Sequence, residues 1–535
     1  MKSLWPSFCF SFIKTRMIPF RLHFKQKRNN DELQASRLKA HRFRLALTTI
    51  LFVMLCAVSS RAEDLNVRIS IISLSPARVK IEGERSSGAR AWSFRNIYAG
   101  AMNLGERIES LSLSDANGAS VAVRKLAPGE YEAVSAATRF SYEVKMDAPD
   151  FDSDASHVSW LTKMRGFFML GDLLPLSNEK GAAKMSGVVQ FVSLPEKWTV
   201  ATSARAEAES RFDVDDVDKA VFFIGQDVRR RQQRVRSMEF EFVTSGEWAF
   251  SDEDVASMAV NILKDHAETF GGVALNHSML ILAPFPHAVG ADNWNAETRG
   301  NTVTLLAGKS PSKTAALAQL SFPLAHELFH LWIPNGLALD GNYDWFYEGF
   351  TLYQALRAGI RLNLLSFQDY LNAMSKAYDA YKSVTNRDKG SLLDASLERW
   401  TVSPVLVYNK GMLAAFLYDL TLQKQTKGKR SLEDVYKELF RLYRNSEARK
   451  DGNAAVLSVL NSTGDMKEFT HRYIESAGAI DLPAAIAPFG LQVDAGGVRS
   501  HISVAASTSG AQRDLLRKFG YNEKTYAVVG HGTKR

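Results

Sequence analysis

The sequence predicts a multidomain α+β chain, in which a β-rich, sandwich-like unit is followed by a mostly helical one. Three observations predict it. A chain of 535 residues is too long for a single hydrophobic core. After a basic leader, its first half alternates apolar and polar residues in short runs broken by turn residues. Near Ser251 the spacing changes to the three-and-four pattern of amphipathic helices.

The formal net charge is +8, but it is unevenly spread. Residues 1–62 carry 12 Lys/Arg against Asp31 and Glu32, which leaves 54 basic and 56 acidic side chains for the rest. The excess therefore belongs to the leader and does not point to nucleic acid. The leader reads as an export signal. A basic stretch ends at Arg42-Phe43-Arg44, and an apolar run of 14 residues follows from Leu45 to Val58. A membrane span needs about 20. Ser60 and Ala62 suit a cut before Glu63. A start at Met17 and an uncleaved anchor are the alternatives, so the exported chain is expected in the periplasm or secreted, or held at a membrane by this segment. Both cysteines, Cys9 and Cys56, lie in the leader. The remainder has no disulfide, thiolate ligand or cysteine nucleophile.

Residues 63–245 form the expected β-rich domain. Val67 to Ile71 and Ala77 to Ile81 alternate, and turns are expected at Asn117-Gly118, Pro128-Gly129 and Asn178 to Gly181. The basic run from Arg229 to Arg236 reads as a solvated strand and turn, since no glycine or aromatic interleaving accompanies it. Ser251 to Asp254 starts a helix with an apolar face at Val255, Met258, Ala259 and Ile262. Strands are expected at Met279–Ala283 and Thr302–Ala307, then helices from Ala315 to about Ala477. The second domain spans 246–485. Residues 486–535 form a short, mixed tail with a weakly structured end.

The chemistry is carried by His326-Glu327-Leu328-Phe329-His330. On a helix, residues four apart share a face, so both imidazoles reach one metal and Glu327 projects beside them. Leu317, Leu320, Leu324 and Leu328 supply the helical stripe, and Pro323 is expected in the first turn or at a kink just before it. Glu348 follows in Asp344-Trp345-Phe346-Tyr347-Glu348-Gly349-Phe350, with Asp344 as a candidate N-cap. Its aromatic neighbours imply burial, and a buried carboxylate needs a counter-charge. Two histidines and a glutamate are a ligand set of catalytic zinc, which keeps one position open.

The segments His326 to Trp332 and Trp345 to Tyr353 resemble the glycyl aminopeptidase family of gluzincin metallopeptidases and, more distantly, the aminopeptidase N family. Tyr408-Asn409-Lys410-Gly411 is similar to the Tyr-x-Lys-Gly segment of both, and Phe469 to Val493 to the end of the glycyl aminopeptidase catalytic unit. The resemblance implies a thermolysin-like second domain, Zn2+ held by His326, His330 and Glu348, Glu327 as general base, and Tyr408 as donor to the oxyanion. Without the resemblance, Tyr408 reads as a packed helix-start aromatic. It also implies a peptide substrate and aminopeptidase action.

The chain departs from the family in two places. Where the glycyl aminopeptidases show Gly-Gly-Leu-Glu-His, this chain has Asn295-Ala296-Glu297-Thr298-Arg299. Glu297 is either the anionic subsite for a substrate amine or a surface-loop acid, and an endopeptidase is the alternative function. About 40 residues follow Val493, too few for the PDZ domain that relatives often add. A catalytically silent peptide-binding protein is disfavoured because Glu327 and all three ligand positions are intact. An adhesion module is disfavoured by the coincidence of motifs. His157, His266, His277 and His287 lack metal spacing and are expected on the surface or in loops.

Overall fold

A computed structural model describes residues 65–176, 184–401, 403–446 and 448–522. They belong to one compact unit, Glu63–Arg535. The leader, its two cysteines and cleavage site, the turn expected at Asn178 to Gly181 and the last 13 residues lie outside the described residues. No helix among the described residues is long and apolar enough to cross a membrane.

The first domain is the expected sandwich. Its large sheet centres on the strand Ala77–Ser93, paired antiparallel with Leu65–Leu74 and Glu130–Lys145. The alternation sets the faces: Leu65, Val67 and Ile69 point into the core while Asn66 and Arg68 face water. A four-stranded sheet runs Thr199–Thr202, Val221–Gly225, Arg165–Met169, Trp160–Leu161. Two of its strands are continuously apolar, as strands buried on both faces must be. Phe168, Phe222 and Ile224 pack into the sandwich core. Phe167, Phe223 and Val221 point the other way, into a second core shared with Val243, Met279, Ile281 and Leu306.

Those last four residues belong to a five-stranded sheet in the order Arg229–Val235, Met238–Thr244, His277–Pro284, Thr302–Ala307, Trp294–Arg299. Two strands before residue 246, Arg229–Val235 and Met238–Thr244, thus pair into the sheet that continues after it. The basic run is its solvated edge strand, as expected. The opposite face, with Phe240, Phe242, Leu280, Leu282, Val303 and Leu305, packs under the helices. The helix Asp252–Phe270 opens with a capping box between Ser251 and Asp254.

The active-site helix runs Lys313–Phe329, with the Ser312 hydroxyl accepting from the Ala315 amide. Pro323 therefore lies in the helix interior, not in its first turn. His266 is not a surface residue: it is buried in Asp252–Phe270, its Nε2 2.9 Å from the Ala325 carbonyl. The described part of the tail is folded against the helices. Leu491–Asp494 and His501–Val504 form a hairpin, Ile502 is bonded to Ser375 of the helix Phe367–Ser383, and the buried Phe519 stacks under Arg357.

Candidate metal site

His326 lies in the last turn of the active-site helix and His330 caps it. The next helix begins with a wide π-turn, Trp345–Phe350, that carries Glu348 before continuing as Thr351–Arg361. A second π-turn, Leu406–Lys410, carries Tyr408 ahead of the helix Gly411–Gln425. Such turns recur at functional sites because they rotate a side chain out of helical register. The two cross at glycines. A Cβ on Gly349 would stand 2.6 Å from the Gly411 Cα, so a larger residue there would separate the segments.

His326, Glu327, His330 and Glu348 are each 6% exposed. The two Nε2 atoms lie 3.1 Å apart, and the Glu348 Oε2 is 3.4 Å from one and 3.7 Å from the other. Ligands on a tetrahedral zinc at about 2.0–2.1 Å are about 3.3 Å apart, so the three atoms fit that ion. Ring nitrogens facing each other this closely need a proton or a cation between them. The His330 Nδ1 is 2.8 Å from the Ile333 carbonyl, which assigns the proton to Nδ1 and leaves the Nε2 lone pair for a metal. The His326 Nδ1 is buried without a partner.

Electrostatics favour a cation. Burial works against the charge of Glu348, but Arg399 and the two imidazoles hold its carboxyl well below the usual range. Burial alone would lower His330, but Glu348 raises it to about 8. Glu327 lies beside the metal face, with an oxygen 4.0 Å from the His326 Nε2. The Thr298 hydroxyl is 2.8 Å from the Glu327 Oε2 and orients it. Burial, with Glu348 adding to it, keeps the Tyr408 phenol above its usual range and therefore protonated.

Two placements differ from expectation. Asp344 is helical and makes no cap; its carboxylate meets Arg399 at 3.1 Å, while the Ser396 hydroxyl accepts the Trp345 amide. Glu297 sits within the strand Trp294–Arg299, opposite Thr304 and ahead of the strand Thr302–Ala307. It is no surface-loop acid. Its Oε2 is 3.0 Å from the Arg299 Nε and 3.1 Å from the His157 Nδ1, and its Oε1 accepts from the Tyr98 hydroxyl. His157 is consequently a partly buried partner. Thr298, Arg299, His157, Tyr98 and Arg399 carry no motif; only the period of two along 294–299 could have set Thr298 and Glu297 on opposite faces.

The model of the peptidase M61 N-terminal domain matches residues 100–221, and that of the M61 glycyl aminopeptidase matches residues 338–414, which include Glu348 and Tyr408. No curated protein matches the chain. Among solved structures, an aminopeptidase N family protein from Idiomarina loihiensis superimposes with a TM-score of 0.70 at 18% identity, over 84% of this chain and 82% of that one. An M1 zinc metallopeptidase from Deinococcus radiodurans gives a TM-score of 0.51 at 13% identity, over 79% and 95%. A mutant of it bound to a Tyr-Ser-Ala substrate gives 0.53 at 12%, over the same shares. Two segments of the chain thus match, in order, the models of the M61 N-terminal domain and of the M61 glycyl aminopeptidase, on a fold like that of the Idiomarina loihiensis protein.

Proposed function

We propose that the chain is an exported zinc metallopeptidase in which His326, His330 and Glu348 hold one Zn2+ and Glu327 is the general base. The observation that carries this reading is the convergence of two Nε2 atoms and one carboxylate oxygen at tetrahedral ligand spacing, with a buried glutamate beside them. Zinc bound there supplies positive charge that polarises a scissile carbonyl and makes a water acidic near pH 7. Glu327, held by Thr298, takes the proton of the attacking water and delivers it to the leaving amine. Tyr408 donates its hydroxyl hydrogen to the oxyanion that develops on the carbonyl. The peptide seen in the Deinococcus radiodurans mutant supports a peptide substrate. The leader supports export, with membrane attachment only if it stays uncleaved.

Aminopeptidase action is the specificity we take first, because Glu297 stands on the strand that also orients the base. One observation favours an endopeptidase instead. Arg299, His157 and Tyr98 already occupy both oxygens of Glu297, so an incoming ammonium would meet a neutralised carboxylate.

The test is hydrolysis of amino-acyl reporters and N-acetylated peptides by the zinc-loaded chain. Chelation should abolish turnover and zinc restore it. Glu327→Gln should retain zinc and lose roughly 100- to 10,000-fold in rate. Full activity without metal would refute the zinc reading. Equal cleavage of free and acetylated peptides would replace the aminopeptidase by the endopeptidase.

A further inference from the structure

Arg399 has no part in the roles given to Glu327 and Tyr408, yet it touches more of the site than any ligand does. It follows the short helix Leu392–Leu397, and its side chain is 9% exposed. Its Nη2 lies 2.9 Å from the Glu348 Oε1 and donates to the Tyr408 hydroxyl oxygen at 2.5 Å. Its Nη1 lies 3.1 Å from the Asp344 carboxylate and donates to the Tyr347 hydroxyl at 3.2 Å. The guanidinium stacks on Trp400 with its carbon 4.2 Å from the ring centre.

We propose that Arg399 is a positioning residue that fixes which oxygen of Glu348 ligates the metal and which way the Tyr408 proton points. The proposal rests on the zinc-peptidase reading of the site.

Two features of guanidinium chemistry carry it. A carboxylate with one oxygen held by a cation turns the other outward, and it is Oε2, not the Arg-bound Oε1, that faces both imidazoles. Arginine has donors only, so the Tyr408 oxygen must accept from it. The phenol's own hydrogen is then excluded from Arg399 and is free to be donated to substrate. The two hydrogens on Nη2 couple these tasks in one rigid fork, which lysine cannot reproduce. Asp344 and Tyr347 hold the other arm, so the fork does not swing away when the site fills.

The test uses the full chain and two readouts. Zinc affinity is measured by competition with a chromophoric chelator, and kcat and KM with the best reporter peptide. Arg399→Gln should weaken zinc binding by about 10- to 100-fold. At saturating zinc, it should lower kcat by about tenfold or more with KM changed less than about threefold. In a Tyr408→Phe background the same change should lower kcat by less than about threefold, because the proton it orients is gone, while the zinc loss persists. A purely structural role would give the same fold-loss in both backgrounds. Unchanged zinc affinity in folded Arg399→Gln, or equal kcat losses with and without the Tyr408 hydroxyl, would overturn the proposal. Should Arg399→Gln not fold, Arg399→Lys keeps the charge, loses the fork and is judged by the same comparison. If the wild type hydrolyses no peptide, the peptidase reading fails, and the zinc titration alone decides whether Arg399 positions Glu348.

Discussion

Neutralising Glu297 should destabilise the protein at neutral pH and do so progressively less in acid. The carboxyl is buried between Arg299, His157 and Tyr98. Burial opposes its charge, but Arg299, followed by His157, pulls it from 4.5 to about 2. A folded-state value below the unfolded one means that the unfolded chain binds the proton more readily. The contribution is therefore full above about pH 4.5 and is lost as pH falls through about 2. The difference corresponds to about 3 kcal/mol at pH 7, at 1.36 kcal/mol per unit. Glu297→Gln removes this and strands Arg299, whose side chain is 4% exposed. Breaking one partner of a buried pair costs about 3–5 kcal/mol. The assay is calorimetric melting of wild type and Glu297→Gln across pH 7 to 3, both stripped of zinc so that metal release does not enter. The titrations of groups remote from Glu297 cancel in the comparison. The gap in melting temperature should be wide at pH 7 and should narrow by pH 3. A gap of constant size would refute the argument, because it would mean that shape and not charge holds Glu297.

Tyr408→Phe should keep zinc and KM while lowering kcat by roughly 100-fold, as for loss of one oxyanion donor, and steady-state kinetics on the metal-loaded chain would check it. Gly349→Ala should push the two π-turns apart, since its Cβ would meet the Gly411 Cα at 2.6 Å. Overpacking of this kind costs about 1–3 kcal/mol, and calorimetry with a zinc titration should find lower stability and weaker metal binding together. Thr298→Val keeps the shape but removes the hydroxyl that orients Glu327, so activity should fall roughly 10- to 100-fold with zinc content unchanged by elemental analysis.

What the sequence made legible was local. His326 and His330 are four apart, and helical geometry alone puts them together. Glu348 was flagged by its own aromatic neighbours, and Tyr408 by four consecutive residues. Fold class followed because alternation and helical spacing are read within ten residues. The pieces that were not legible depend on contacts across the chain. Arg399 reaches Glu348 from 51 positions away, and nothing beside it distinguishes it from a surface arginine. Asp344 has the residue type of a cap, but a buried arginine outcompetes a backbone amide for its carboxylate. Alternation reads residues 63–245 as β-rich but does not say which sheet receives a strand such as Met238–Thr244. Pro323 was placed by its usual position in helices, whereas Ser312, eleven residues earlier, supplies the cap.

The two halves of the site have different origins in the fold, and this bears on what can vary. The proposed metal ligands, Glu327, Tyr408 and Arg399 all come from the second domain's helices and turns. Glu297, the proposed specificity residue, does not stand alone. Glu297 is met by Tyr98 and His157 of the sandwich, Arg299 donates to the His157 carbonyl at 2.6 Å, and Asn295 accepts from the Ser156 amide at 2.8 Å. The strand Trp294–Arg299 is an edge strand of its sheet, and an edge left open is free to pair with another extended chain. Here the sandwich supplies partners for its side chains and leaves Thr298 turned towards Glu327. Substitutions in the loops around Tyr98 and His157 would therefore alter the charge offered at Glu297 without moving a metal ligand. On the proposed reading, the hydrolytic machinery can stay constant while the end of the peptide that is recognised changes at the seam between the domains.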